Sequence, residues 1–89
     1  MMDRSITDEA CRLLNGDRDD DYGPPEIALG RIAGLWSGYL GVSVTAGDVG
    51  RMMLLLKVAR MKHKYKRDSF VDGVAYLLIC EELDRGCSD

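Results

Sequence analysis

The stretch K-V-A-R-M-K-H-K-Y-K-R-D-S-F-V-D-G-V-A-Y, Lys57 to Tyr76, decides the fold. It starts at the end of one apolar helix, crosses a short basic connection and opens a second apolar helix. That second helix carries Asp68 and Asp72 in its first turns. Cations gather on one side of the joint and carboxylates on the other, so if the chain has a chemical site, this is where it is expected.

Upstream of the joint, Thr45 and Asp48 form a capping box that opens a helix from about Ala46 to about Lys64. Val49, Met52, Met53, Leu55, Leu56, Val58 and Ala59 leave little polar surface in its middle, which marks it as the central core helix. The basic run from Arg60 to Arg67 suits the negative end of a helix dipole. Asp68 is a good N-cap for the following helix, whose expected buried positions are Phe70, Val71, Val74, Ala75, Leu77, Leu78, Ile79 and Leu83. Asp84-Arg85-Gly86 closes it, and Cys87 to Asp89 reads as a frayed tail.

Towards the N-terminus, Pro24 or Pro25 supplies the first turn of a helix that Gly41 ends, with Glu26 near its positive end. Gly30, Gly34 and Gly38 recur every fourth residue along it. An interior helical glycine costs about 1 kcal/mol relative to alanine. Three on one face therefore suggest close approach of another backbone, foremost a helix of the same chain and otherwise a symmetry mate. A bent, frayed helix is the plain alternative. Ser5 with Asp8 resembles a further capping box, opening a short first helix that stops near Asn15-Gly16. Asp17 to Pro25 is an acidic loop. The sum is an all-α fold, a small bundle of four helices with short loops, in a single domain over residues 1–89.

Hydrophobic residues make up 46% of the chain, enough for a core and too many for a disordered polypeptide. A net charge of −3 gives no strong signal for nucleic acid, so attraction for phosphate has to come from a local patch. With three cysteines and one histidine, a structural zinc site is not expected. Cys11 and Cys80 sit in apolar helical patterns and read as buried free thiols, which fits a reducing cytosol. No apolar run approaches the ~20 residues of a membrane span. A cytoplasmic protein is expected.

Asp72 shares a largely apolar stripe with Ala75, Tyr76, Ile79 and Leu83, and a carboxylate there needs a partner. The plain reading is a salt bridge to Lys57, Arg60, Lys64 or Arg67, stitching the third helix to the fourth. The functional reading is a site where Asp68 and Asp72, with Glu26 as a third carboxylate, hold Mg²⁺ or position a water. Lys57 and Arg60 are then a phosphate-binding edge, against the plain reading of side chains snorkelling at a helix end. Tyr22 and Tyr76 are candidates to line a base or sugar. His63 reads as a solvated residue of the Lys-rich run, and the lone Tyr65 is weak as a stacking ring.

D-Y-G-P-P-E, R-I-A-G-L-W-S-G-Y-L, D-V-G-R-M-M-L-L-L-K-V-A-R and D-S-F-V-D-G-V-A-Y, from about Asn15 to Leu78, resemble a family of small phage and prophage proteins of unassigned function. More loosely, D-Y-G, K-x-x-R and D-x-x-x-D-x-x-x-Y are similar to the nucleotide-modification-associated domains of phages. Those are similar in layout to all-α nucleotide pyrophosphohydrolases of the MazG type. That looser likeness implies a nucleotide or phosphate ligand with Mg²⁺. The hydrolases hold the metal with an E-x-x-E and an E-x-x-D pair. Here Glu26 is followed by Leu29 and Gly30, and the second pair becomes Asp68 and Asp72, four apart. The resemblance thus implies a nucleotide binder as readily as an enzyme, and turnover stays open. The expected assembly is a homo-oligomer. Two other readings are an interaction protein that blocks a host enzyme or defence complex or sequesters its nucleotide signal, and a structural oligomerisation module.

Overall fold

The computed structural model describes residues 2–16 and 23–87. Four helices make up the described chain: α1 (Ser5–Asn15), α2 (Pro25–Leu40), α3 (Ala46–His63) and α4 (Arg67–Cys87). The acidic run from Asp17 to Tyr22 and the tail beyond Cys87 lie outside the described residues.

Local chemistry sets the helix ends. Pro25 opens α2, and Gly41 ends it in the left-handed region (φ 74°), where its N–H donates to the Ser37 carbonyl. The Ser37 hydroxyl then fastens the extended connection, accepting from the Val44 N–H at 2.8 Å and donating to the Val44 carbonyl at 3.2 Å. At the head of α3 the expected box forms: Thr45 Oγ1 accepts from the Asp48 N–H, and Asp48 Oδ2 accepts from the Thr45 N–H. The Thr45 N–H holds the Asp48 carboxyl below its ordinary range, helped by the Thr45 hydroxyl. The box expected from Ser5 and Asp8 does not form. Ser5 gives both its N–H and its hydroxyl to Asp3, and Arg4 stands at the cap position without a side-chain bond.

Two small clusters make the core. Leu29 and Ala33 of α2, Val49 of α3 and Ile79 of α4 form one; Ala10 of α1 with Val71 and Ala75 of α4 forms the other. Leu14 packs against both. Since α4 is the helix that enters both clusters, it is the hub, and the expectation that α3 is central is corrected. The buried residues of α3 are Gly47, Val49 and Gly50, while Met52, Leu55, Leu56 and Val58 stay exposed. A helix buries only the arc its neighbours cover, and α3 is flanked by α2 and α4.

The close approach falls elsewhere than on the Gly30–Gly34–Gly38 stripe. Among the described residues, a Cβ at any of those three positions meets nothing within 4 Å, so none of the four helices lies on them. At Gly50 neighbouring side chains press on the backbone: a Cβ there would stand 2.8 Å from Cys80 Sγ and 3.6 Å from Leu29 Cδ1. Cys80 is buried against that position, and burial pushes its thiol pKa up. Cys11 is exposed, contrary to the expectation of a buried thiol, because α1 turns Ala10, Ile6, Leu13 and Leu14 inward instead.

Antiparallel α3 and α4 are joined by Arg51–Asp84 and by Lys57–Asp72. Arg67 ties the start of α4 to α1 through Glu9 and the Ser5 hydroxyl. Two outcomes follow from this packing. Gly50→Ala should lower unfolding free energy in urea titration, overpacking of about 1–3 kcal/mol outweighing the ~1 kcal/mol that alanine gains over glycine inside a helix; a raised midpoint would show that α4 gives way freely. A maleimide should label Cys11 rapidly in the folded chain and reach Cys80 only on unfolding, as mapped by peptide mass spectrometry.

A basic cleft at the α3–α4 joint as candidate functional site

The last turn of α3, the connection 64–66 and the first turns of α4 enclose a cleft of about 490 Å³. Lys57, Arg60, His63, Lys64, Lys66, Asp68, Ser69 and Asp72 line it. Its position follows from the helix ends: α3 stops at His63, Lys64 turns extended (φ −164°, ψ 155°), and the chain re-enters a helix at Arg67. Four formal cations therefore face two carboxylates on a chain whose net charge is −3. The local potential favours anions.

Lys57 Nζ meets Asp72 Oδ2 at 3.0 Å, with side-chain exposures of 17% and 40%. The salt bridge between the third and fourth helices is therefore present, and it borders the cleft. Asp72 is less enclosed than its apolar stripe suggests, and Lys57 is the more buried partner. Arg67, another expected partner of Asp72, is bonded to Glu9 of α1 instead.

Of the residues singled out in the sequence, Lys57, Arg60, Asp68 and Asp72 meet in this one cleft. Glu26 does not join them. It lines separate hollows with Glu82 near the other end of α4, roughly 20 Å along the axis from Asp68 at about 1.5 Å per residue. Tyr76 is half-buried against the cluster of Leu29, Val49 and Ile79. Tyr22 lies outside the described residues. Among the described residues, no three His, Cys, Asp or Glu side chains stand together as a metal site. Asp68 and Asp72 are the two carboxylates of the cleft, and Asp72 is paired with Lys57.

His63, Lys66 and Ser69 also line the cleft. His63 is exposed there, and Ser69 is buried at 7% exposure, with its N–H donating to the Lys66 carbonyl. The D-S pair at a helix start was the available signal for Ser69, since small polar residues favour that position. Tyr65 turns to Phe70, ring centroids 5.7 Å apart.

The fold and the joint define a small all-α domain, a helical bundle with a cationic cleft between two antiparallel helices. The chain belongs to the family DUF6378, a domain of unknown function, which it matches over residues 5–84. It is similar to the Gene 55 protein of Mycobacterium phage D29, 45% identical over 83 residues, covering 92% of this chain and 55% of the relative. Against the Gene 55 protein of Mycobacterium phage L5 the figures are 42% over 81 residues, with 89% and 52% covered. The chain thus spans about half the length of these curated relatives. No solved structure matches it. The expected kinship with phage proteins of unassigned function is met at the level of the family. Among the described residues, no helix is long and apolar enough to cross a membrane.

Because the Lys57–Asp72 pair is partly open to solvent, it should contribute little to stability. Lys57→Met is expected to change unfolding free energy by less than about 1 kcal/mol. A loss of several kcal/mol in chemical denaturation would instead make the pair a structural bolt.

Proposed function

We propose that the cleft at the α3–α4 joint binds a phosphate-bearing small molecule, with a nucleotide as the leading class. The observation that carries this reading is the gathering of Lys57, Arg60, Lys64 and Lys66 around one hollow on an otherwise acidic chain. Arg60 offers a planar fork that fits two phosphate oxygens, while the lysines act as point charges. The volume lies within the ordinary range for small-molecule sites. The looser likeness to nucleotide-modification-associated domains and MazG-type pyrophosphohydrolases favours the same ligand class.

In this reading Mg²⁺ is not a resident of the protein. It arrives, if at all, on the ligand's phosphates, where Asp68 can meet it from the rim. Neither the cleft nor its charges require turnover. Binding or sequestering a nucleotide needs only the cations.

Thermal shift with inorganic phosphate, pyrophosphate and nucleoside mono-, di- and triphosphates, each with and without Mg²⁺, tests the reading. A ligand at about 100 times its dissociation constant adds roughly 2.7 kcal/mol to stability, a clear rise in melting temperature for a chain of this size. The rise should shrink with salt and be lost in Arg60→Ala, whose own melting temperature stays near that of the unaltered chain because Arg60 is exposed. No shift with any of these anions, or one that persists in Arg60→Ala, removes the cleft as the binding site.

A further inference from the structure

Away from the cleft, α2 and α3 present apolar surface that none of the described residues covers. On α2, Leu35 and Tyr39 are 74% and 89% exposed; on α3, Leu55 is 64% exposed, with Met52 and Leu56 beside it. The two helices meet in a shallow groove of about 210 Å³ lined by Trp36, Tyr39, Leu40 and Met52. Met52, Leu55, Leu56 and Ala59 recur at the spacing that places them on one face of α3, the pattern of a helix that seats against another.

We propose that this face is the seam of a homodimer, and that its occupant is the same face of a second copy of the chain. Three observations select a second copy. The first is shape. Along α2 the row Gly30–Gly34–Gly38 runs beside the row that carries Leu35 and Tyr39, so a trough lies next to a ridge. Rows of this kind interdigitate, and a two-fold axis brings the ridge of each copy into the trough of the other. The open glycines, unexplained within one chain, are explained by that contact.

The second is charge. In a two-fold dimer, charges near the axis face their own copies, and the centre of this face, from Leu35 to Tyr39 and from Met52 to Leu56, carries none. The cations of α3 that flank this stretch are Arg51, whose side chain turns to Asp84, and Lys57, whose side chain turns to Asp72.

The third is area. A large apolar residue left fully open shows roughly 150–200 Å². On that basis the exposed parts of Leu35, Tyr39, Leu40, Met52, Leu55 and Leu56 amount to on the order of 600–700 Å², near the ~800 Å² each partner brings to a standard interface. The chain's own core is small by comparison, with Val49 and Val71 the largest fully buried side chains among the described residues.

Sedimentation of the full chain over a concentration series tests the seam. Up to about 100 μM, where a pair with a dissociation constant of about 1 μM is almost fully formed, the mass should be that of two chains. Leu55→Glu places like charges against each other at the seam and should weaken the dimer on the order of a hundredfold. Gly34→Leu fills the trough and should weaken it too. Both substituted chains should keep the helical circular dichroism of the unaltered one, because Leu55 is exposed and a Cβ at Gly34 meets nothing within its own chain. A chain that sediments singly throughout overturns the proposal, whether a lipid surface or a different protein then proves to cover the face. So does a dimer that neither substitution weakens tenfold.

Discussion

At Gly50 the backbone of α3 is bare, and Cys80 of α4 occupies the space a side chain would fill. The rest of the molecule depends on that crossing. It sets the separation of α3 and α4, and with it the alignment that lets Arg51 reach Asp84 near one end and Lys57 reach Asp72 near the other. α1 and α2 are attached to this antiparallel pair, α1 mainly on α4 and α2 mainly on α3. The cleft is the gap left where the pair is joined by the short connection 64–66.

A chain of 89 residues cannot surround every helix with neighbours. The shortage falls on α2 and α3. Both have apolar residues over a wide arc, but α2 is packed mainly on one side and α3 on two. The hub role goes to α4 because its small residues let helices approach from both directions: Gly73 and Cys80 towards α3, Ala75 towards α1.

Much of this was readable before any coordinates, and the readable part is local. The Thr45–Asp48 box and the Gly41 stop depend on residues a few positions apart, so spacing alone finds them. The pairing of Asp72 with a cation of α3 was legible because an acid on an apolar stripe has few ways to be satisfied. What escaped depends on competition or on tertiary geometry. Asp3, just upstream, takes Ser5 away from Asp8. The regular glycine stripe drew attention from Gly50, a single glycine before an apolar run that looks ordinary until α4 is laid across it. Apolar abundance suggested that α3 was central, whereas centrality depends on how many faces are covered. Glu26 is near the cleft neither in sequence nor in space, and a charge count alone offered no way to discard it.

Lys57 belongs to two structures at once. It closes the seam between α3 and α4 through Asp72, and it is also one of the charges lining the cleft. If the cleft binds an anion as proposed, that anion would compete with Asp72 for the same ammonium group, linking its binding to the Lys57–Asp72 contact at that end of the hairpin. The opposite end, held by Arg51, Asp84 and the crowded Gly50 crossing, is insulated from this exchange. The hairpin is thus built as a clasp with one fixed end and one responsive end.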